Sequence, residues 1–480
     1  MARLFLQVPA VDAALATPAG RDRVVDGVRA FALIVVVAGH GLMGVVAWSA
    51  EGPRVGNILS ALPALKGITW VLQVMPLLFF AGGAANAISW DRRGAKNDTY
   101  AQWVWARAAR LLRPAWLYLA ACALIATLVS LFTTAAYSDA LLGVITQLLW
   151  FLGVYLVVTA LTPLFTILSP LRATALVLGL VVISGAVDLA RFHWGWPMAI
   201  GILNFVIVWC VPTYLGALRS RGVLARVPVV ALAIVAALAL GLCALLIRIG
   251  PWPLSLIGLP DEPIGNMAPP TVILALHSVV WVCVITVFNR PLTALLHRAA
   301  VWQRVVGINL CAMTLYLWHL PVLVGVTLAL HLLRLDRPVT LRADGLPIPD
   351  GWAFWLGTVG FLLVFAVGVW AVVRLMWPFE HAPLLWWDSP PRSAAPQGTL
   401  ASVLALVGTV GVGICTLVIS GTGLAGFPTR VVQFAGLPLN AAVAIVLLVA
   451  SGALIRYAGS PRSPRADGEA RGGLQSSEPS

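Results

Sequence analysis

Charged residues are scarce in this chain of 480 amino acids. They make up 10% of the sequence, whereas about 25% is usual in a soluble domain, and 60% of the residues are hydrophobic. So small a charged fraction excludes an ordinary soluble enzyme or binding module. Many apolar runs reach the length of roughly 18 residues that a transmembrane helix requires. The composition therefore predicts a protein that crosses a membrane several times.

The familiar sequence-local catalytic and metal-binding patterns are also missing. There is no G-x-S-x-G elbow and no P-loop, and the histidines are too scattered for a sequence-local metal site. The six cysteines form no CxxC pair and all fall in apolar stretches, so we expect neither disulfides nor redox chemistry. We therefore predict no metal site.

The net charge of +13 would suggest a nucleic-acid partner if the protein were soluble. In a membrane protein, an excess of arginine and lysine instead indicates which loops are cytoplasmic. Most of the 31 basic residues fall on one side when the N-terminus is placed in the cytoplasm. We predict that both termini are cytoplasmic and that nucleic acid is not a partner.

Twelve apolar segments predict an all-α polytopic fold. They run approximately over residues 28–48, 68–90, 111–133, 141–165, 171–190, 197–217, 227–247, 269–289, 305–330, 352–375, 398–424 and 434–455.

The predicted domains follow from these spans. They are a cytoplasmic arm (1–20), a membrane domain with ten helices (21–380), a linker with two further helices (381–456), and a cytoplasmic tail (457–480). The tail is polar and rich in serine, proline and glycine, which predicts disorder.

The first span opens with charged residues and ends on a histidine, in the stretch DGVRAFALIVVVAGH (26–40). On a helix, Arg29 and His40 lie roughly 20° from alignment and about 16 Å apart along the axis. Asp26 joins the same face, because it lies one turn before Arg29. With Arg29 at the cytoplasmic surface, we expect His40 about halfway across the ~30 Å hydrocarbon core.

Ionisable groups that face lipid are costly, so this helix face is expected to line a polar cavity. There, His40 can exchange a proton near neutral pH, Arg29 can bind a phosphate or carboxylate, and Asp26 can hold Arg29 in place. The alternative is that Arg29 only supports the topology and that His40 is a packing residue bonded to a backbone carbonyl. The residues alone leave both interpretations open.

Several segments resemble the acyltransferase 3 family of integral membrane acyltransferases. RDRVVDGVRAFALIVVVAGH (21–40) resembles the family's first helix, whose hallmark is an arginine or lysine, ten residues and then a histidine. RAARLLRP (107–114) supplies the R-x-x-R motif at the start of the third helix. LWFLGVYLVVTALTPLF (149–165) and TLYLWHLPV (314–322) resemble the fourth helix and a late helix. These markers occur in the family's order over residues 21–380.

The second helix departs from the family pattern. The family often has a serine in this helix, but LFFAGGAANA (78–87) has glycines there. Gly82 and Gly83 predict a close approach of helices, and Asn86 is a candidate to supply the polar group instead. The last two predicted helices extend beyond the usual ten.

The resemblance implies transfer of an acyl group, often acetyl, from cytoplasmic acyl-CoA to a hydroxyl of a carbohydrate, a glycolipid or a related molecule. Acyl-CoA is then the donor substrate, and no cofactor stays bound. Implied site residues fall into three groups: a catalytic set of His40, Arg29 and Asp26, an acyl-CoA-binding set of Arg107, Arg110 and Arg113, and acceptor-side candidates His319, Tyr316 and Asn86.

The resemblance also implies a place and partners for the protein. We expect a multi-pass protein of a bacterial plasma membrane that O-acetylates carbohydrates of the cell envelope. Its partners would be membrane lipid, acyl-CoA and the acceptor. Since many relatives carry a fused extracytoplasmic esterase-like domain and none is expected here, a separate extracytoplasmic transferase could complete the reaction.

Two other functions fit the same composition. A transporter or flippase of a lipid-linked sugar or small molecule would also have about twelve helices, although no internal repeat relates the two halves. A non-catalytic relative that senses or binds partners would explain the missing serine.

A few other polar residues are expected at membrane depth. Asp188, Asn204 and His277 are candidates to line a cavity. Glu380 and His381 follow the tenth span and are predicted at the cytoplasmic surface.

Overall fold

The computed structural model describes residues 10–18, 20–49, 52–388 and 396–460. Eleven of its helices are long and apolar enough to cross a membrane, and a twelfth span is reached if one bent pair is counted as a single span. The prediction of an all-α polytopic fold is confirmed. The tail predicted to be disordered lies outside the described residues from 461 onward, as do residues 1–9 and 19 of the N-terminal arm.

The helices alternate between long spans and short connecting pieces. The first ten are α1 (Ala10–Leu15), α2 (Arg23–Met43), α3 (Ile58–Ala61), α4 (Thr69–Leu72), α5 (Met75–Asp91), α6 (Tyr100–Phe132), α7 (Ala135–Thr146), α8 (Leu149–Ala160), α9 (Thr162–Thr166) and α10 (Pro170–Phe192). The second ten are α11 (Met198–Ser220), α12 (Val229–Ile249), α13 (Val272–Val287), α14 (Asn289–Leu296), α15 (Ala299–Leu310), α16 (Ala312–Leu332), α17 (Gly351–His381), α18 (Leu385–Asp388), α19 (Gly398–Thr422) and α20 (Ala441–Gly459).

Three antiparallel hairpins connect spans where the sequence predicted helix or loop. They are β1 (Gly44–Ser49) with β2 (Gly52–Asn57), β3 (Val339–Leu341) with β4 (Pro347–Pro349), and β5 (Val431–Phe434) with β6 (Leu437–Asn440). The first predicted span therefore ends too late, because α2 stops at Met43. In β1 the buried residues Val45 and Ala47 alternate with more exposed neighbours, which is the period of a strand.

Some predicted spans are single stretches of sequence but contain more than one helix. The span 269–289 consists of α13 and continues into α14 after a bend of 65°. The span 305–330 consists of α15 and α16, which are separated at Cys311. Such breaks inside a membrane protein are tolerated where neighbouring helices satisfy the freed backbone groups.

Helices α5 and α11 form a close contact at the centre of the bundle. A Cβ atom on Gly83 would lie 1.9 Å from the backbone oxygen of Thr213, and one on Gly216 would lie 2.0 Å from that of Phe80. Only glycine permits backbones to approach so closely. The contact also explains why no serine occupies Gly83, since its Cβ would overlap the facing helix.

The last two long helices are packed into the bundle. Thr416 of α19 lies against Gly153 of α8, where a Cβ atom would come within 1.8 Å of its hydroxyl oxygen. On α20, Gly452 lies against Trp116 of α6, and Gly459 lies against Trp105 of the same helix. Helices α19 and α20 therefore cover faces of α6 and α8.

Replacing Gly83 with alanine is expected to destabilise the protein by about 1–3 kcal/mol, because the added methyl group overlaps backbone atoms. Thermal unfolding in detergent, followed by dye labelling of the buried cysteines, measures the change. Gly179→Ala is the matched control, since a Cβ atom there meets nothing within 4 Å. Equal melting temperatures for the two variants would contradict the close contact.

Candidate functional site: a histidine pair between two helices

Two histidines from distant parts of the sequence meet between α2 and α16. Nδ1 of His40 lies 3.1 Å from Nε2 of His319, and the ring centroids are 5.2 Å apart with an interplanar angle of 28°. His319 is fully buried, whereas His40 is only partly covered. The pair therefore has one fully buried member and one that is partly exposed.

The surrounding hydrogen bonds decide which nitrogen of each neutral ring carries the proton. Nδ1 of His319 lies 2.9 Å from the carbonyl oxygen of Leu315, which can only accept, so this nitrogen is the donor. Nε2 of His319 must then accept the hydrogen bond from Nδ1 of His40. This network leaves Nε2 of His40 with a free lone pair.

The depth of the pair follows from the helix beside it. His40 lies in the last turn of α2 rather than in its middle, because α2 ends earlier than predicted. The next residue, Gly41, lies against Phe365, which is close to the midpoint of the long helix α17. The histidine pair therefore lies level with the middle of α17.

A second polar contact, about three helical turns away along α2, joins α2 to α15, the helix that precedes α16. Nε of Arg29 donates to Oδ1 of Asn309 at 2.7 Å, and its NH2 group donates to Asp26 at 3.1 Å. Asn309 also donates to the backbone oxygen of Asp26 at 2.9 Å. Asp26 is buried and bonds Arg21 as well, which holds the Arg21 pKa above its usual value through that hydrogen bond.

Asn309 was not predicted as a site residue, although the sequence carries a signal for it. It precedes His319 by ten residues, while Arg29 precedes His40 by eleven. Two roughly parallel helices with nearly equal spacings can meet at both pairs.

The three arginines of the predicted acyl-CoA set have different surroundings. Arg107 donates to Ser89 and lies within electrostatic range of Tyr155. Arg113 is ion-paired with Asp388, so its charge is already balanced. Arg110 is exposed. The structure thus brings only Arg107 of this set towards Arg29.

Tyr155 of α8 is a site residue that the sequence did not indicate. It is close enough to interact electrostatically with both Arg29 and Arg107, and it bonds Asn86. A Cβ atom on Gly82 would lie 2.6 Å from its hydroxyl oxygen, so the glycine makes room for this ring.

The acceptor-side candidates do not all gather around His319. Asn86 donates to Thr159 at 2.9 Å and lies beside Tyr155, towards Arg29. The hydroxyl of Tyr316 donates to the backbone oxygen of Leu148 and holds α16 against the start of α8. Of the three candidates, only His319 contacts His40.

Glu380 does not lie at the surface as predicted, because α17 continues to His381 and turns this carboxylate inward. It is 5% exposed and accepts hydrogen bonds from the hydroxyl of Thr314 and from Nε1 of Trp318, the latter at 2.9 Å. Both donors flank Leu315, whose carbonyl binds His319. Glu380 therefore fixes the turn of α16 that carries the histidine.

The three other polar residues predicted at membrane depth, Asp188, Asn204 and His277, bond to partners outside the histidine pair. Asp188 accepts from the backbone nitrogen of Val272 at 2.8 Å, and it also binds Asn204 and Trp252. A carboxylate at this position caps the N-terminus of α13. His277 bonds the backbone oxygen of Trp70. Over the described part of the chain, no three His, Cys, Asp or Glu residues come together as metal ligands would.

Fold and site together define a multi-pass membrane protein with a histidine pair inside its helical bundle. The family model of the Acyl_transf_3 acyltransferase domain matches residues 22–377, which include both histidines and the Arg29 network. Neither the curated proteins nor the solved structures give a match. Because the match covers well over half of the chain, the protein belongs to the acyltransferase 3 family and is a membrane acyltransferase.

The tautomers of the histidine pair can be checked by ¹⁵N NMR of histidine-labelled protein. We expect both His40 and His319 to carry their proton on Nδ1 and none on Nε2. The carbonyl oxygen of Leu315 requires a proton on Nδ1 of His319, and Nε2 of His319 then accepts the hydrogen bond from Nδ1 of His40. His40→Gln and His319→Gln variants assign the two signals. A spectrum with Nε2 of His40 protonated would contradict the arrangement.

Proposed function

We propose that this protein transfers an acyl group, acetyl in the simplest case, from cytoplasmic acyl-CoA to a hydroxyl group of a carbohydrate or glycolipid at a bacterial plasma membrane. The observation that supports this proposal best is the His40–His319 pair, which leaves one imidazole nitrogen unprotonated inside the bundle. A general base needs such a lone pair within reach of the proton it removes.

In the proposed reaction, Nε2 of His40 takes the proton of the acceptor hydroxyl as its oxygen attacks the thioester carbonyl carbon. The new carbon–oxygen bond forms, and the carbon–sulfur bond breaks. The departing thiolate of coenzyme A receives the proton back from Nε2 of His40. His319 acts as a positioning residue, because its Nε2 accepts a hydrogen bond from Nδ1–H of His40 and so keeps the His40 proton on Nδ1 and Nε2 unprotonated.

We assign binding of acyl-CoA to the polar contact that Arg29 makes with Asp26 and Asn309. Arg29, held by Asp26 and Asn309, and Arg107, held by Ser89, would face the phosphates of acyl-CoA. Tyr155 lies within electrostatic range of both arginines and would add a hydroxyl donor. The distance of about 16 Å between Arg29 and His40 separates the phosphates from the thioester.

Removing the proposed base is expected to abolish most of the activity. His40→Ala in nanodiscs with radiolabelled acetyl-CoA should lower acceptor-dependent transfer by roughly 10²–10⁴-fold. His319→Gln, whose side-chain oxygen can still accept from Nδ1 of His40, should retain more activity than His319→Ala. His297→Ala is the control, because this exposed histidine bonds only its own helix.

Two outcomes would contradict the proposal. Wild-type turnover by the His40 variant would show that His40 is not the base. Flux of a substrate across the membrane without any use of acyl-CoA would identify a transporter instead.

Variants of Arg107 and Arg113 should differ in their effect on the binding of acyl-CoA. Arg107→Gln is expected to raise the KM for acyl-CoA by about tenfold with a smaller change in kcat, because it removes a phosphate contact. Arg113→Gln should leave the KM nearly unchanged, since that arginine already pairs with Asp388. Steady-state kinetics in nanodiscs measures both, and equal effects would contradict the assignment of Arg107.

A further inference from the structure

An open groove of about 690 Å³ lies on the membrane-facing side of the bundle, away from the histidine pair. The residues that line it are Trp70, Leu240, Ala244, Ile247, Arg248 and Leu254. Its volume falls in the range of roughly 300–1,000 Å³ that is typical of small-molecule sites. All the lining side chains except Arg248 are apolar or aromatic.

One wall of the groove is held in place by hydrogen bonds between α4 and the loop that follows α12. Nε1 of Trp70 donates to the backbone oxygen of Leu254 at 2.9 Å. Two residues further along, the backbone nitrogen of Leu256 donates to Thr69 at 3.0 Å, and its oxygen accepts from Gln73 at 3.1 Å. This wall therefore needs no rearrangement to receive a ligand.

The other wall is a stripe along α12. Leu240, Ala244, Ile247 and Arg248 follow the spacing of one helix face. Helix α12 is the most hydrophobic of the candidate spans and also the least buried, since only 17% of its most apolar 18-residue stretch is buried inside the protein. It packs chiefly on α13, so the groove opens towards lipid. The small side chain of Ala244 leaves the space that the groove occupies.

Arg248 places a positive charge at one end of this apolar groove. It is exposed in the last turn of α12, and no carboxylate among the described residues pairs with it. An arginine at the end of a membrane helix extends to the interface, where lipid phosphates lie. Trp70, on the facing wall, belongs to a residue type that is enriched at the same level.

We propose that this groove is a binding site for a phosphate-bearing membrane lipid, with one hydrocarbon chain against α12 and Trp70 and the phosphate at Arg248. The apolar walls match the chain, and the unpaired guanidinium matches the anionic group. The site is independent of the proposed acyl transfer, because neither histidine contributes to it.

The test uses the full-length protein in nanodiscs doped with phosphatidylglycerol that carries a photoreactive diazirine in one chain. Diacylglycerol with the same photoreactive chain is the uncharged comparison. After illumination, mass spectrometry of peptides that cover residues 240–254 measures the labelling. We expect phosphatidylglycerol to label this stretch at least five times more than diacylglycerol does.

Variants separate the contributions of charge and shape. Arg248→Gln should reduce labelling by phosphatidylglycerol to the diacylglycerol level, whereas Arg248→Lys should largely preserve it. Ala244→Trp, which fills the groove, should suppress labelling by both lipids. Arg334→Gln is the matched control, since Arg334 is also exposed at the end of a long helix but does not line the groove.

Two results would overturn the proposal. Equal labelling by both lipids in the wild type would mean that Arg248 recognises no phosphate. Unchanged labelling in Ala244→Trp would mean that the chain lies elsewhere on the lipid-facing surface. Size-exclusion chromatography and the melting temperature of each variant establish that it is folded.

Discussion

Within a lipid bilayer, a polar side chain has no water to bond, so its partners must come from the protein itself. This constraint shapes the contact between α2 and the α15–α16 segment. Arg29 meets Asn309 and Asp26 in one place, and His40 meets His319 about three turns away. The same bonds that satisfy these groups also align the two helices.

The need for protein partners also applies to the polar groups around the histidine pair. The carbonyl of Leu315 orients His319, and the turn that carries Leu315 is fixed by Glu380 from α17. A buried carboxylate that accepts two hydrogen bonds is far less costly than an unpaired one. Helices α2, α16 and α17 thus together determine the position of one imidazole ring.

The sequence indicated both histidines of this site and Arg29, but not all of the residues that surround them. The spacing of Arg29 and His40 is a property of a single helix, so the helical period was sufficient to place both residues on one face. The partners Asn309 and Tyr155 come from other helices, and periodicity within one segment says nothing about which helices are neighbours. Glu380 was misplaced for a related reason, since the hydrophobic run ends before it while the helix continues.

The sequence predicted which segments span the membrane, but not the residues at which their helices end. Apolar segments long enough to cross a membrane are recognisable by length alone, and all twelve have a counterpart in the structure. The hairpin of β1 and β2 was missed because Val45, Val46 and Ala47 are as apolar as the helix before them. Apolar character is shared by helices and strands, so it could not show where α2 stops.

The packing of α19 and α20 has a consequence for how this protein can be divided. The family match ends at residue 377, yet Gly153 and Trp116 inside the matched region are covered by helices that follow it. The unit recognised by sequence is therefore smaller than the unit that folds. A fragment cut at the family boundary would expose to lipid the close-packing glycine face of α8 and a face of α6, the helices that carry Tyr155 and Arg107. Chimaeras between relatives would have to exchange these two helices together with the faces that receive them.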